Sequence, residues 1–149
     1  MNTKLQDTIE RVLVLKASIQ RVYHAISSAE GLVKWFPNRI EGKVEPGETA
    51  QFHFDGCGIC SLYIVGAEPY GYFAFRWASG ATAPVGDVLA SSNTLVEFRL
   101  EEVDEGTKLS MVESGFASLP KETYEQAMRD NNSGWDSELA ELVALFNQS

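Results

Sequence analysis

Residues 51–77 read QFHFDGCGICSLYIVGAEPYGYFAFRW. Apolar and aromatic side chains recur at every second position, and turn formers interrupt the run at Asp55-Gly56 and Glu68-Pro69. This is the pattern of half-buried strands joined by tight hairpins. Directly paired residues share a face, so two consecutive hairpins test each other's register. With Gly56 and Cys57 as the first turn, Phe54 faces Ile59, Phe52 faces Ser61 and Ala50 faces Tyr63. With Glu68, Pro69 and Tyr70 as a three-residue loop, Val65 faces Phe73, Tyr63 faces Phe75 and Ser61 faces Trp77. Both registers collect Phe52, Phe54, Ser61, Tyr63, Phe75 and Trp77 on one face.

The period of two extends outward from this stretch, from Ile40 to Gly115, with further turn signals at Pro46-Gly47 and Glu105-Gly106. Consecutive hairpins imply an antiparallel meander. With Glu105-Gly106 as the last turn, Leu100 pairs with Met111, Phe98 with Glu113 and Val96 with Gly115, an inner face that is apolar except for Glu113. Upstream, the β-branched run Thr8–Leu15 predicts an opening strand. Ser18 can cap a helix whose Ile19, Val22, Tyr23 and Ile26 form one apolar stripe. Ser28 can cap a second short helix through Leu32, Val33, Trp35 and Phe36, which Pro37 stops. Downstream, Leu119-Pro120 opens a helical stretch carrying Tyr124, Ala127, Met128, Trp135, Leu139, Leu142, Val143 and Phe146. Asn131-Asn132 and Gly134 are weak helix formers inside it, so one long helix is expected, with an irregularity allowed there. The sum is an α+β, helix-grip arrangement. It has a curved antiparallel sheet of about six to seven strands, two short helices after the first strand and a long C-terminal helix.

A chain of 149 residues, 44% hydrophobic and 22% charged, has an ordinary globular composition and fits one domain over residues 1–149. The net charge of -9 argues against nucleic-acid partners, whose affinity comes from Lys and Arg displacing counterions, and against anionic membrane surfaces. Its apolar runs fall far short of the roughly 20 residues of a membrane span. Residues 1–11 are polar and lack the apolar core of a signal peptide, so a cytoplasmic location is expected.

The order of elements resembles the START-like (SRPBCC) superfamily, whose architecture is that of the birch-pollen-allergen (Bet v 1) fold. Several segments are similar to the branch related to the activator of the heat-shock-protein-90 ATPase. They are the opening strand with its Ser18-led helix, Trp35-Phe36-Pro37, and the run GYFAFRW at 71–77. Further on come GTKLSM at 106–111 leading into ESGF at 113–116, and Gly134-Trp135 leading to Leu139 and Leu142. The resemblance spans nearly the whole chain. It implies hydrophobic-ligand binding in many relatives, chaperone stimulation in some, and cyclase or dehydratase chemistry in others.

An aromatic inner face on a bent sheet is either a filled core or the wall of a small-molecule cavity. Under the cavity reading the ligand-binding residues are Trp35, Phe52, Phe54, Ser61, Tyr63, Phe75, Trp77, Phe98, Met111, Glu113, Trp135 and Leu139. Glu113 stands out as a carboxylate among apolar neighbours. It must be protonated, paired, or near water, and could anchor a ligand or act as a general acid or base; the plainer reading is a solvated strand end. Ser61 and Tyr63, if inward, offer hydroxyls that orient a ligand or are satisfied by backbone. Residues 79–92, a run of small residues too long for a hairpin turn, are a candidate lid.

Cys57-Gly58-Ile59-Cys60, near His53 and Asp55, invites a zinc or redox reading. No second ligand pair exists, and a hairpin lacks the helix N-terminus that activates a redox thiolate. Two reduced cysteines are expected, with no metal and no cofactor. His24 lies beside the first helix's apolar stripe and His53 alternates to the outer face, neither with a partner pattern. The acidic cluster Glu101, Glu102, Asp104 and Glu105 reads as a solvated hairpin tip. Hydrolase, zincin and nucleotide-binding motifs are absent. The leading expectation is binding of a small hydrophobic or amphipathic molecule between sheet and C-terminal helix. The alternatives are a cyclase, dehydratase or isomerase using Glu113, and a co-chaperone-like domain engaging a protein partner. A homodimer stays open.

Overall fold

The computed structural model describes residues 5–56, 58–78, 88–90 and 92–147. Strand β1 (Thr8–Leu15) leads into helices α1 (Ile19–Ser27) and α2 (Ala29–Leu32). Six strands follow: β2 (Arg39–Glu41), β3 (Thr49–Phe54), β4 (Gly58–Glu68), β5 (Tyr72–Trp77), β6 (Thr94–Val103) and β7 (Gly106–Ser114). Helix α3 (Lys121–Phe146) closes the chain. All seven strands form one antiparallel sheet in the order β1-β7-β6-β5-β4-β3-β2. The meander is thus consecutive, and β1 joins it beside β7.

Local chemistry sets the element ends. The Ser18 hydroxyl accepts from the Arg21 N–H (3.3 Å) and the Ser28 hydroxyl from the Gly31 N–H (3.0 Å), so both predicted caps form. Each cap is worth about 1 kcal/mol. Asp7 accepts from the backbone N–H groups of Gly115 and Ala117, fastening the end of β7 to the start of β1. Helix α3 runs unbroken through Asn131, Asn132 and Gly134, because Asn131 and Trp135 are held from the sheet side, as described below.

The registers depart from the sequence expectation in an instructive way. Phe54 pairs with Gly58 rather than Ile59, so the first loop is one residue longer than expected. Left-handed φ at Gly56 (80°) and Gly58 (106°) lets the chain reverse over that span. In the second hairpin Glu68 pairs with Tyr72, and a bulge between Ile64 and Gly66 adds an unpaired residue to β4. A one-residue slip exchanges the faces of a strand. Leu62 and Ile64 therefore point into the core, while Ser61 lies opposite Gln51, and Tyr63 between Thr49 and Arg76, on the face turned away from α3. The expected inward placement of Ser61 and Tyr63 is thereby overturned. In the last hairpin Val103 pairs with Gly106, which moves every pairing by two. An even shift keeps the faces, so Val96, Phe98, Leu100, Leu109, Met111 and Glu113 stay inward.

Most of the candidate lid lies outside the described residues. Its remainder includes the turn Val88–Ala90, which packs against β4 and β5. Asn93 donates to the Val88 carbonyl (3.2 Å) and accepts from Arg76 (3.0 Å), a residue of the face turned away from α3. This part of the segment sits on the back of the sheet and does not cover the helix side.

The β6–β7 turn meets the β1–α1 corner closely. Gly106 has φ 143°, a Cβ there would collide with the Leu15 carbonyl, and the buried Thr107 hydroxyl donates to the Ala17 carbonyl (2.8 Å). Gly47 also has positive φ (87°) but faces open space. Gly106→Ala is expected to cost more than about 2 kcal/mol and Gly47→Ala about 1 kcal/mol. Urea midpoints of the two variants, compared with the parent chain, check the order.

Candidate functional site

Glu113 on β7 is fully buried (0% exposed) between the sheet and α3. Its Oε2 accepts from Trp77 Nε1 (2.8 Å) on β5, Thr94 Oγ1 (2.5 Å) on β6 and Asn131 Nδ2 (2.9 Å) on α3. Its Oε1 accepts from Trp135 Nε1 (2.8 Å) and Asn131 Nδ2 (3.1 Å) on α3. Burial pushes the Glu113 carboxyl above its ordinary range, and the bonds from Thr94, Trp135, Trp77 and Asn131 pull it partly back. Two indole N–H groups and an amide NH₂ can only donate, so both Glu113 oxygens are held as acceptors. The solvated-strand-end reading of Glu113 is excluded by this burial. Of the partners, Trp77 and Trp135 were expected on the inner face. Thr94 and Asn131 were not: Thr94 is a polar residue at the start of the alternating run Val96, Phe98, Leu100, and Asn131 read as a helix weakener. Its position four before Trp135, on one helix face, was the available signal.

The aromatic face is packed for most of its extent. Phe75 lies 6.4 Å from Phe98, Phe98 stands edge-on to Trp135 at 6.0 Å, and Phe75 stands edge-on to Trp77 at 5.4 Å, measured between ring centroids. Phe52, Phe75, Phe98 and Met111 are at most 1% exposed, and Leu139 is buried beside them. Trp35, also buried, stacks on Phe36 (5.0 Å) and donates its N–H to the Ala25 carbonyl (2.8 Å). These residues are core rather than cavity wall.

Space remains at one end. A pocket of about 140 Å³ opens where α3 passes the ends of β3, β4 and β5. Phe36, Phe54, Trp77 and Trp135 wall it, Cys60 lies at its sheet side, and Asp130, Asn131, Gly134 and Glu138 of α3 form its rim. Phe36 is the central ring, 5.4 Å from Phe54, 5.9 Å from Trp77 and 5.5 Å from Trp135. A Cβ on Gly134 would stand in open space at this mouth. Half-burial, and then the nearby Glu141 charge, push Glu138 up to about 7. Phe54, Trp77 and Trp135 of the expected set thus reach the pocket. Phe36, Cys60, Asp130, Gly134 and Glu138 join them, from segments that the pairing register had placed elsewhere or that alternation does not reach. Cys57 lies outside the described residues.

This geometry can be set beside known proteins. The family model described as Activator of Hsp90 ATPase homolog 1-like protein matches residues 16–147. The chain belongs to that family. Among solved structures, this family member resembles the Aha1 dimer from Colwellia psychrerythraea. The two are 24% identical, the alignment covers 95% of this chain and 96% of that one, and the TM-score is 0.75. A protein from Bacillus halodurans is 22% identical over 98% of this chain and 100% of its own, with a TM-score of 0.74. CalU16 from Micromonospora echinospora is 21% identical over 94% and 74%, with a TM-score of 0.66. At such identities these likenesses establish the fold. No curated protein matches the chain. No helix among the described residues is long and apolar enough to cross a membrane.

The two indoles bond different oxygens of Glu113, so in Glu113→Gln one indole N–H must face an amide NH₂ whichever way the side chain turns. The variant is expected to lose about 1–3 kcal/mol and to shift one indole N–H resonance in a proton NMR spectrum. Unchanged stability would show that the carboxylate is not the anchor. Glu138 behaves differently. It keeps its proton up to about pH 7 in the folded chain, against 4.5 ordinarily, so the folded state binds more protons between these values. Stability therefore falls as pH rises through that window. Glu138→Gln is expected to flatten this part of the pH–stability profile and to exceed the parent's melting temperature slightly above neutrality.

Proposed function

We propose that this family member binds a small hydrophobic or amphipathic molecule in the pocket between α3 and the open ends of β3, β4 and β5. The observation that carries this reading is the pocket itself: about 140 Å³ of unfilled space, walled by Phe36, Phe54, Trp77 and Trp135, in an interior otherwise packed ring against ring. Its size is close to the roughly 150 Å³ apolar cavity known to accept benzene. One six-membered ring fills it, and the rest of a longer ligand lies along the rim of α3. Apolar walls with a few convergent polar groups are the usual composition of a small-molecule site.

The reading that gives Glu113 an acid–base role is disfavoured by the same geometry. Its two oxygens are engaged by four side chains of the protein, and it is not among the residues that line the pocket. A group held this way positions the helix; it has no lone pair directed at a substrate.

Gly134 offers a test that separates binding from folding. Its Cβ position is unobstructed, and replacing a glycine inside a helix gains up to about 1 kcal/mol. Gly134→Leu is expected to keep or raise the melting temperature while filling the mouth, and so to abolish binding of small aromatic probes followed by Trp fluorescence. Mass spectrometry of material extracted from gently purified parent and variant extends the test to the natural ligand. Equal binding by both proteins would overturn the assignment.

A further inference from the structure

We infer that the pocket selects cations: its ligand class is a small aromatic or aliphatic amine, or another organic cation, with its apolar part among the rings and its charge at the α3 rim. This rests on the pocket reading above and goes beyond it by naming the charge.

Three observations support it. First, the charged residues that line the pocket are Asp130 and Glu138, both carboxylates. They lie on one helix, eight positions apart, on either side of Gly134, so their charges flank the mouth. Second, the rings beneath are close together: Phe36, Trp77 and Trp135 lie within 5.9 Å of one another, centroid to centroid. An ammonium held within about 6 Å of such faces is attracted by their quadrupoles, most strongly by Trp. Third, the chain's net charge of -9 does not explain the charge of this site by itself. A second concavity, between α1, α2 and the end of α3, is lined among the described residues by Arg21, His24 and Lys34 and by no carboxylate, so the chain's concavities are not uniformly acidic.

Glu138 is the stronger contributor. Lys34 and Asp55 line the adjoining groove with Glu138 and Glu141. Among the described residues the ion pairs do not involve Glu138. Its partly desolvated carboxyl, beside Glu141, is raised toward neutrality, the direction a nearby cation reverses. A bound ammonium therefore gains an attraction that a neutral ligand lacks, and a carboxylate meets repulsion.

Three probes with one skeleton test this: phenethylamine, phenethyl alcohol and 3-phenylpropanoate, titrated at low salt and about pH 8, where the amine is still protonated and Glu138 is mostly ionised. Binding is read from Trp fluorescence, Trp77 and Trp135 being in the wall. The expected result is a Kd for the amine at least about tenfold below that of the alcohol, with the carboxylate weakest. Asp130→Asn combined with Glu138→Gln is expected to bring the amine to the level of the alcohol measured on the same variant. Should the alcohol bind as tightly as the amine, with both excluded by Gly134→Leu, cation selection is wrong and the pocket reading stands. Should none of the three bind, both fail. Persistence of the amine's advantage in the double variant would also overturn the inference, since the charge preference would then come from elsewhere.

Discussion

The structure depends on one buried carboxylate. Removing Glu113 from water without partners would cost several kcal/mol, and here the cost is offset by neutral donors from four side chains on β5, β6 and α3. Because these donors come from separate elements, satisfying the carboxylate fixes how the elements meet. Of the 26 residues of α3, Trp135, Leu139 and Leu142 are the fully buried ones, and its other directional ties, from Arg11 to Asp136 and Asn132 and from Tyr124 to the Gln6 carbonyl, lie at the edge of the sheet. Apolar burial alone would tolerate rotation or sliding of such a helix, since hydrophobic contact is non-directional. The bonds from Asn131 and Trp135 are directional and permit one rotation. The same contacts explain why Asn131, Asn132 and Gly134 do not break the helix, their weak propensity being overridden at the point of tightest docking.

Much of the fold was legible because it follows from local chemistry. The β-branched run of β1, the two serine caps, the alternation of β3 to β7 and the helical spacing of α3 each have a local physical cause, and the elements form where that cause lies. Registers were less legible. Both errors that mattered fell on β4, and both were odd shifts, from a loop one residue longer than expected and from a bulge near Val65. The two hairpins test each other's register through β4 alone, so parity errors on that strand leave them in agreement. The error at the β6–β7 turn was even and harmless. It left Glu113 on the correct face, which is why the anchor's position could be anticipated although two of its partners could not. Thr94 and Asn131 lie in period with Val96 and Trp135, but their polarity hides them from a reading that follows apolar residues.

The candidate site was legible only in outline for a related reason. Alternation says which residues face inward but not whether rings fill the space between them. The answer depends on angles: Phe75, Phe98 and Trp135 interlock edge to face and tilted, which closes the middle of the interior. The larger unfilled volume beside these rings lies at the end of the sheet, where β3, β4 and β5 run out and Gly134 withholds a side chain from α3. Phe36 reaches this end from the segment after α2, outside the alternating strands, so a face-based reading omits it. Ser61 and Tyr63, the hydroxyls expected to orient a ligand, are on the other side of the sheet, and the polar groups at the pocket come from α3 instead.

Anchor and pocket share Trp77, Asn131 and Trp135, and the two rings among them have a mechanical consequence. Trp77 and Trp135 each direct the indole N–H to Glu113 and a ring surface to the pocket, 5.8 Å apart between centroids. A ring held by a hydrogen bond at one edge has little freedom to tilt, so the pocket walls are set before a ligand arrives, and little ordering entropy remains to oppose binding. The coupling also runs the other way. A ligand that presses these rings apart must lengthen bonds to a buried carboxylate, where an unsatisfied group is most costly. On the proposed binding role, the anchor would limit what the pocket admits: ligands that fit between fixed rings would be accepted, and those that require the rings to separate would be rejected. For the proposed ligand, specificity in shape would arise from Glu113, while Asp130 and Glu138 on the α3 rim, which do not bond Glu113, would set the charge.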